Sequence, residues 1–332
     1  MRRRLGIVAA VAACLLSLTS SVNATLALTP AGVADGFTLS TFVSGYLFGG
    51  SPLYGPLAQG ILPNGNVVTG SRGDGKIYVF TDTDNQLLAN ALSATPYTFT
   101  TGNPNYAMTT AGGQAYGAQI QGNAPFELFH NDGTHTPIPG LTATDNLGMW
   151  GNPVNGHIIA VGNQGLIDID PIAGTFRVIG PNPGADGVSV SPDGSTLYVA
   201  AGGNILAYNI ATGALLHTYS GNGHAPDGTG VITGGLFNGD IVVNNNDGTV
   251  GLIDVTLGTE TIIAAGGSRG DFVSPDTSNG TLFLSQIEEV ARLGCGPGCS
   301  IGSGGSAPEP ATLALLGVGL AGLAAMRRRK LN

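Results

Sequence analysis

A stretch of about 40 residues, from Asn182 to Ser220, most constrains the fold of this chain. It reads as four short strands of alternating β-branched, aliphatic and aromatic residues, separated by the turns Pro192–Gly194, Gly202–Asn204 and Ala211–Gly213. Glycine and asparagine in such turns supply the positive φ angles that tight hairpins need. A four-stranded meander of this length is the repeating unit of a β-propeller.

Weaker copies of this stretch follow one another along the chain. The first turn of each copy contains a glycine, and the six glycines recur at a period typical of propeller blades: Gly65, Gly113, Gly156, Gly194, Gly239 and Gly280. The last copy, Gly270–Leu293, holds only three strands, whereas Phe37–Val43 is a strand without a hairpin partner. The pattern therefore predicts an all-β chain, a propeller of six four-stranded blades that Phe37–Val43 closes by supplying the fourth strand. Five or seven blades remain open, because Gln86–Asn105 is ambiguous.

Charge limits the partners that the chain can have. The sequence contains 12 Lys and Arg against 21 Asp and Glu, with a formal net charge of −9. Most of the basic residues lie in two terminal clusters, 2–4 and 327–330, so the part between them is strongly acidic. Because phosphate binding needs clustered basic side chains, this composition excludes nucleic acid as a partner. The five histidines show no zinc-binding spacing, and no nucleophile elbow is present.

The first 24 residues predict a signal peptide. A basic segment, Arg2–Arg4, precedes the apolar run Leu5–Leu18, and Val22-Asn23-Ala24 fits a cleavage site after Ala24. One alternative is an uncleaved anchor helix, which the shortness of the apolar run disfavours. Another is lipidation of Cys14, because the residues before it resemble a lipoprotein box.

Four aspartates recur just before the first strand of successive copies: Asp145, Asp186, Asp227 and Asp271. Residues at this position of a propeller line the mouth of the central channel, so the four carboxylates are expected to converge around the axis. Carboxylate oxygens are the ligands that Ca²⁺ prefers, which makes a calcium site or a site for a basic ligand a hypothesis. The competing interpretation, which we favour, is that Asp-Gly and Asp-Asn serve only as turn formers.

Cys295 and Cys299 are the only cysteine pair beyond the signal peptide. The intervening Gly-Pro-Gly allows a tight loop, and an exported protein meets an oxidising environment. We predict a disulfide that locks the end of the last blade. A redox-active pair is disfavoured, because redox motifs have two intervening residues at the start of a helix.

The repeats resemble those of the NHL, gluconolactonase-like and WD-like propellers, which share the turn seen here as Ser191-Pro192-Asp193-Gly194. The resemblance implies a propeller but little about activity. Gluconolactonase-like enzymes hold a metal with carboxylate and Asn ligands at the channel mouth, with a further acid/base residue. This chain has the four aspartates but no convincing Glu on a first strand, so the resemblance leaves hydrolase activity in doubt.

The C-terminal tail resembles the PEP-CTERM sorting signal. Its motif would be Pro308-Glu309-Pro310, followed by the apolar run Ala311–Met326 and the basic residues 327–330. The run is short for a membrane span but workable, and the basic end would stay cytoplasmic. The resemblance implies recognition by an exosortase in a Gram-negative bacterium, removal of the anchor and release to the cell surface or biofilm matrix. An ordinary C-terminal anchor is the alternative.

The sequence thus divides into a signal peptide (1–24), a β-propeller (25–294), a linker with the cysteine pair (295–306) and a sorting signal with a transmembrane helix (307–332). We expect a protein that is held transiently in the inner membrane and then released. The favoured function is binding of an exopolysaccharide or a surface protein without catalysis. The alternative is a metal-dependent, lactonase-like hydrolase.

Overall fold

A computed structural model of the chain describes residues 25–46, 55–97, 106–119, 123–144, 148–296 and 298–301. The predicted signal peptide with Ala24, the first aspartate Asp145, and the sorting motif Pro308-Glu309-Pro310 with its apolar run lie outside these residues. Among the described residues, no helix is long and apolar enough to cross a membrane.

The described chain forms 27 strands, one short α-helix and one turn of 3₁₀ helix. The first elements are β1 (Ala27–Leu28), α1 (Pro30–Ala34) and β2 (Thr38–Ser44). Blade 1 contains β3 (Pro56–Ile61), β4 (Val67–Ser71), β5 (Lys76–Phe80) and β7 (Ser93–Pro96), with β6 (Gln86–Leu87) and the 3₁₀ turn Leu88–Asn90 before β7. Blade 2 contains β8 (Tyr106–Ala111), β9 (Gln114–Gln119), β10 (Asn123–Phe129) and β11 (His135–Thr144). Blade 3 contains β12 (Gly148–Gly151), β13 (Ile158–Gly162), β14 (Gly165–Asp170) and β15 (Thr175–Gly180).

The remaining strands complete the ring. Blade 4 contains β16 (Ala185–Val190), β17 (Thr196–Ala201), β18 (Asn204–Asn209) and β19 (Leu215–Ser220). Blade 5 contains β20 (Pro226–Thr233), β21 (Ile241–Asn245), β22 (Val250–Asp254) and β23 (Thr259–Ala265). Blade 6 contains β24 (Val273–Asp276), β25 (Thr281–Ser285) and β26 (Glu289–Gly294), and β27 (Ser300–Ile301) follows. The predicted fold, a propeller of six four-stranded blades, is confirmed.

The inner strands surround the axis. In each blade the first strand is innermost, and β3, β8, β12, β16, β20 and β24 contact one another in that order around the ring. Because each blade is an antiparallel meander of four strands, every inner strand begins at the same end of the axis. We call that end the upper face and the end where the inner strands finish the lower face. The core lies between blades, where the two middle strands bury apolar residues on both sides.

Blade 6 is closed by β2 from the other end of the chain. Strand β2 pairs antiparallel with β26, from Thr38 opposite Gly294 to Ser44 opposite Glu289. Phe42 of β2 is fully buried, with its ring 4.8 Å from that of Phe283. The predicted closing strand Phe37–Val43 is thus shifted by one residue in the structure, and it removes the open edge of the last blade.

The C-terminal end of the described chain is fastened to the lower face. Cys295 and Cys299 form a disulfide with their Cα atoms 5.6 Å apart. Beyond it, β27 pairs with the last two residues of β20, and the Ile301 amide donates to the Gly280 carbonyl at 2.6 Å. Ile301 is fully buried. We call this arrangement of the disulfide and β27 the C-terminal clasp. The propeller's sheet therefore continues into the segment predicted as a linker.

Candidate functional site

The inner strands of blades 3 to 6 approach one another closely at the upper face, and glycine makes this possible. A Cβ on Gly187 would lie 2.2 Å from the Asp227 carbonyl oxygen, and one on Gly228 would lie 2.4 Å from that of Asp271. A Cβ on Gly148 would lie 2.5 Å from the Asp186 carbonyl oxygen. No side chain fits at these three positions, so glycine is required at each of them for the close approach of neighbouring blades.

Three of the four predicted aspartates line one cavity on the axis. The cavity has a volume of about 10 Å³, room for roughly one water molecule. Its walls come from five inner strands: Met108, Gly148, Met149, Asp186, Gly187, Val188, Asp227, Gly228, Thr229, Asp271, Phe272 and Val273. Asp145 lies outside the described residues. Since Gly148 is equivalent to Gly187 and Gly228, the sequence position equivalent to Asp186 is Leu147, and Asp145 lies two positions before it.

An arginine from the same chain neutralises this acidic cavity. Arg269, in the loop between blades 5 and 6, places Nη2 2.7 Å from Oδ2 of Asp227 and Nη1 3.5 Å from Oδ2 of Asp271. Its Nε donates to Oδ1 of Asn246. Asp227 is only 2 % exposed, so solvent screens the interaction between Arg269 and Asp227 only weakly. Arg269 is the residue that the sequence reasoning missed; a basic residue two positions before Asp271, in an acidic chain, was the available signal.

The remaining charge is reduced by protonation. Burial, the neighbouring carboxyl group of Asp186 and the charge of Asp271 together raise the pKa of Asp227 far above its ordinary value, although Arg269 opposes the shift. Burial also raises the pKa of Asp271 to about 6. The cavity therefore holds a protonated carboxyl group at neutral pH.

The described carboxyl groups of the cavity are arranged to contact the guanidinium group of Arg269 and not a calcium ion. Among the described residues, no group of three His, Cys, Asp or Glu side chains has a geometry that could hold a metal ion. Arg269 already contacts two of the carboxyl groups, and burial raises the pKa of Asp227 far above its ordinary value. One polar atom of the wall, Oγ1 of Thr229, is buried without a hydrogen-bond partner among the described residues. A single water in the cavity would satisfy it.

A much larger pocket opens at the lower end of the axis. It has a volume of about 540 Å³, within the range of small-molecule sites. Its walls are the turns that follow the inner strands of blades 2, 3 and 6: Thr110, Ala111, Gly112, Gly113, Gly151, Asn152, Pro153, Val154, Asn155, Gly156 and Thr277. We call it the lower pocket. None of these described wall residues is charged, and sequence reasoning did not single out any of them as a site.

The turn of blade 3 in this pocket is held rigidly. Oδ1 of Asn152 accepts the Val154 amide at 3.0 Å, while its Nδ2 donates to the Gly194 carbonyl of blade 4 at 3.3 Å. Oδ1 of Asn155 accepts the His157 amide at 3.0 Å. These bonds fix the amide side chains of the turn, beside which the Val154 side chain is exposed.

Comparison with protein families identifies one segment. Residues 306–330 match the PEP-CTERM protein-sorting motif. This motif implies processing by an exosortase, and with it export and sorting to the surface. A search of curated protein sequences found no significant match to the chain.

Comparison with solved structures shows the fold. A gluconolactonase from Xanthomonas campestris is 15% identical with a TM-score of 0.59, covering 80% of this chain and 93% of the other. An auxiliary nutrient binding protein from Bacteroides ovatus is 14% identical with a TM-score of 0.54, covering 78% of this chain and 76% of the other. A streptogramin B lyase is 16% identical with a TM-score of 0.51, covering 78% and 98%. The chain is thus similar in fold to propellers with a range of activities.

Proposed function

We propose that this chain is an exosortase-sorted propeller of the cell surface or extracellular matrix that binds an uncharged polar ligand, a polysaccharide segment, in its lower pocket and does not hydrolyse it. The contrast between the two ends of the axis supports this function. The acidic cavity has room for about one water molecule, whereas the lower pocket has a volume of about 540 Å³.

The chemistry of the lower pocket favours a saccharide. Its polar groups are backbone amides and carbonyls of glycine turns, together with the side chains of Thr110, Asn152, Asn155 and Thr277. Uncharged donors and acceptors of this kind match hydroxyl groups, and the described wall offers no charge to a charged ligand. Val154, 66 % exposed, adds an apolar surface for the non-polar face of a sugar ring.

The acidic cavity is poorly suited to hydrolysis. A hydrolase needs space for its substrate next to a metal or a general base, and the base must be free to take up a proton. Here Arg269 contacts Asp227, and burial raises the pKa of Asp227 so that it keeps its proton at neutral pH. A lactonase-like enzyme with a metal at Asp186, Asp227 and Asp271 stays the alternative, because these three side chains line one cavity.

Binding and metal content distinguish the two functions. The exported chain would be titrated with bacterial exopolysaccharide fragments by calorimetry, with Asn155→Ala as the pocket variant and Asn204→Ala, in a turn of the upper face, as its matched control. Loss of one ligand hydrogen bond should weaken binding about fivefold in the pocket variant only. Stoichiometric calcium in the purified protein, with lactone hydrolysis that Asp186→Asn abolishes, would instead establish the enzyme.

The sorting part of the proposal has its own test. We propose that Ala24 ends a cleaved signal peptide and that Pro308-Glu309-Pro310 is the site the exosortase recognises, while the apolar run after it holds the chain in the inner membrane. In the native host, Pro308→Ala with Glu309→Gln should leave the full-length tail on the protein in the membrane fraction. Ser306→Ala, at the start of the matched segment, is the control. Normal release of the double variant would contradict the proposal.

A further inference from the structure

The most exposed apolar side chains lie on one face of the propeller. Among the described large apolar residues, the four with the greatest exposure are Ile172 (94 %), Leu236 (89 %), Leu257 (72 %) and Val154 (66 %). All four lie in turns of blades 3 and 5 that either follow the inner strand or precede the outer strand. Turns at both of these places belong to the lower face.

Blade 4 joins these two blades into one sector. Leu215 and Leu216 begin its outer strand β19 at the lower end, and each is 54 % exposed. By contrast, the described turns between the second and third strands, at 72–75, 163–164, 202–203, 246–249 and 286–288, carry no exposed large apolar side chain. These turns lie on the upper face. We call the lower-face turns of blades 3, 4 and 5 the apolar sector.

The fold does not require apolar side chains at the tips of these turns. The turns of Ile172 and Leu257 are each held by an aspartate that accepts two backbone amides: Asp170 accepts those of Ile172 and Ala173, and Asp254 accepts those of Thr256 and Leu257. The apolar side chain at each tip makes no contribution to this turn. Large exposed apolar side chains concentrated on one face of a domain are typical of a surface that contacts a protein or a membrane.

The sorting tail leaves the propeller on this same face. The C-terminal clasp fixes Ile301 against Gly280 and the end of β20, beside the turn that carries Leu236. The sorting motif begins at residue 306, so a fully extended chain can place it no more than about 18 Å from Ile301. The start of the apolar run at Ala311 is no more than about 36 Å away.

We propose that the apolar sector rests on the lipid surface of the membrane as long as the sorting tail is attached. This inference depends on the proposed function, in which the apolar run after residue 310 holds the unprocessed chain in the membrane. A tether this short gives an effective concentration in the millimolar range, at which a few exposed leucine and isoleucine side chains suffice for docking. The acidic cavity then faces away from the membrane, because Asp227 and Thr233 stand at opposite ends of β20, about 20 Å apart.

Charge identifies the kind of lipid surface. The lower-face turns carry ionised aspartates, because each accepts hydrogen bonds that lower its pKa. Thr134 donates to Asp132, Ala173 donates to Asp170, and Ser191 donates to Asp193. Anionic headgroups would repel them. The sector therefore suits a zwitterionic surface, and docking rests on the apolar tips and not on charge.

Fluorescence quenching tests the orientation. The full chain would be reconstituted through its tail into nanodiscs of brominated phosphatidylcholine, with Leu236→Trp reporting on the sector and Asn204→Trp on the upper face. Trp150 is buried and gives the same background in both variants. We expect quenching of the tryptophan at 236 and not of that at 204, and a loss of that quenching when Ile172 and Leu257 are changed to Ser.

Each other outcome overturns the inference in an identifiable way. Equal quenching at 204 and 236, or none at either, would show that the inserted protein does not rest on the sector. Shielding of position 236 from acrylamide that appears only when purified exosortase is added would assign the sector to the enzyme. Shielding that depends on protein density would assign it to a second copy. If the full chain does not enter nanodiscs at all, the membrane-held stage of the proposed function fails instead.

Discussion

Arg269 donates from Nη2 to Oδ2 of Asp227 at 2.7 Å and from Nε to Asn246, so one guanidinium joins the inner strand of blade 5 to a turn of the same blade. Because Asp227 keeps its proton in the folded state, Arg269→Met leaves a buried hydrogen-bonding group without its partner, which costs about 1–3 kcal/mol. The Arg269 side chain is 28% exposed, so we expect Arg269→Met to lower the free energy of unfolding by about 2 kcal/mol.

Urea denaturation at pH 7 measures this loss. The control is Arg177→Met, which removes an arginine whose side chain is 47% exposed and should cost about 1 kcal/mol or less. Equal losses in the two variants would mean that Arg269 does not neutralise the cavity.

Stability should depend on pH through Asp227. The folded state keeps its proton because burial raises the pKa of this carboxyl group, whereas the unfolded chain releases it near pH 4. The folded protein therefore binds more protons than the unfolded chain above pH 4, and its stability falls as pH rises. We expect a decrease of about 1 kcal/mol per pH unit between pH 5 and 7.

Asp227→Asn removes this dependence, because asparagine is the neutral analogue of the protonated acid. Its free energy of unfolding, from urea titrations at several pH values, should change less over this range than that of the unaltered protein. Asp193→Asn is the control, since hydrogen bonds from Ser191 and Ser195 lower the pKa of Asp193 and its contribution changes only at lower pH. If the free energy of unfolding of Asp227→Asn still fell with rising pH as steeply as that of the unaltered protein, Asp227 would not be the group that keeps its proton.

Closure of the ring should depend on Phe42. Its side chain is fully buried in β2 against Phe283, and Arg292 lies 5.0 Å above its ring centre. Truncation to alanine should cost about 3–5 kcal/mol, in the range for a buried phenylalanine. Phe176→Ala, at a position 43 % exposed, should cost much less. Chemical denaturation checks both, and a small effect at Phe42 would mean that closure by β2 contributes little to stability.

The C-terminal clasp should open when its disulfide is removed. With both cysteines changed to serine, we expect the pairing of β27 with β20 to be lost first, because it involves only two residues of each strand. Hydrogen exchange at the Ile301 amide, which donates to Gly280, should become faster. The Ile232 amide, bonded to Asp240 within blade 5, should keep its rate. Unchanged exchange at Ile301 would show that the short strand holds without the disulfide.

Local patterns carried most of the fold. Turn glycines such as Gly194 and Gly239 adopt positive φ angles of 71° and 95°, as their sequence context indicates. The blade count follows from their spacing, and the closing strand follows from counting strands in the last copy. The short strands β1, β6 and β27 could not be predicted, because two-residue pairings carry no periodicity of their own.

The candidate site was predicted only in part. Three aspartates line one cavity because the turn before each inner strand is repeated, and repetition is visible in a sequence. Asp145 does not occupy the position in blade 3 that Asp186 occupies in blade 4. This is evident only from the structure, in which Gly148 of blade 3 makes the same contact as Gly187 of blade 4. The partnership of Arg269 with Asp227 is a contact between residues 42 positions apart, and spacing alone does not report it. The lower pocket is built from glycine turns whose sequence indicates only a hairpin.

The pairing of β2 with β26 also sets the order of events in biogenesis. Gly294 must be available before the strand at Thr38 has its partner, so the ring is completed only after almost the entire chain has been synthesised. The late partner leaves the early blades without a closed ring until then, so native stability is acquired only when the two ends of the propeller meet.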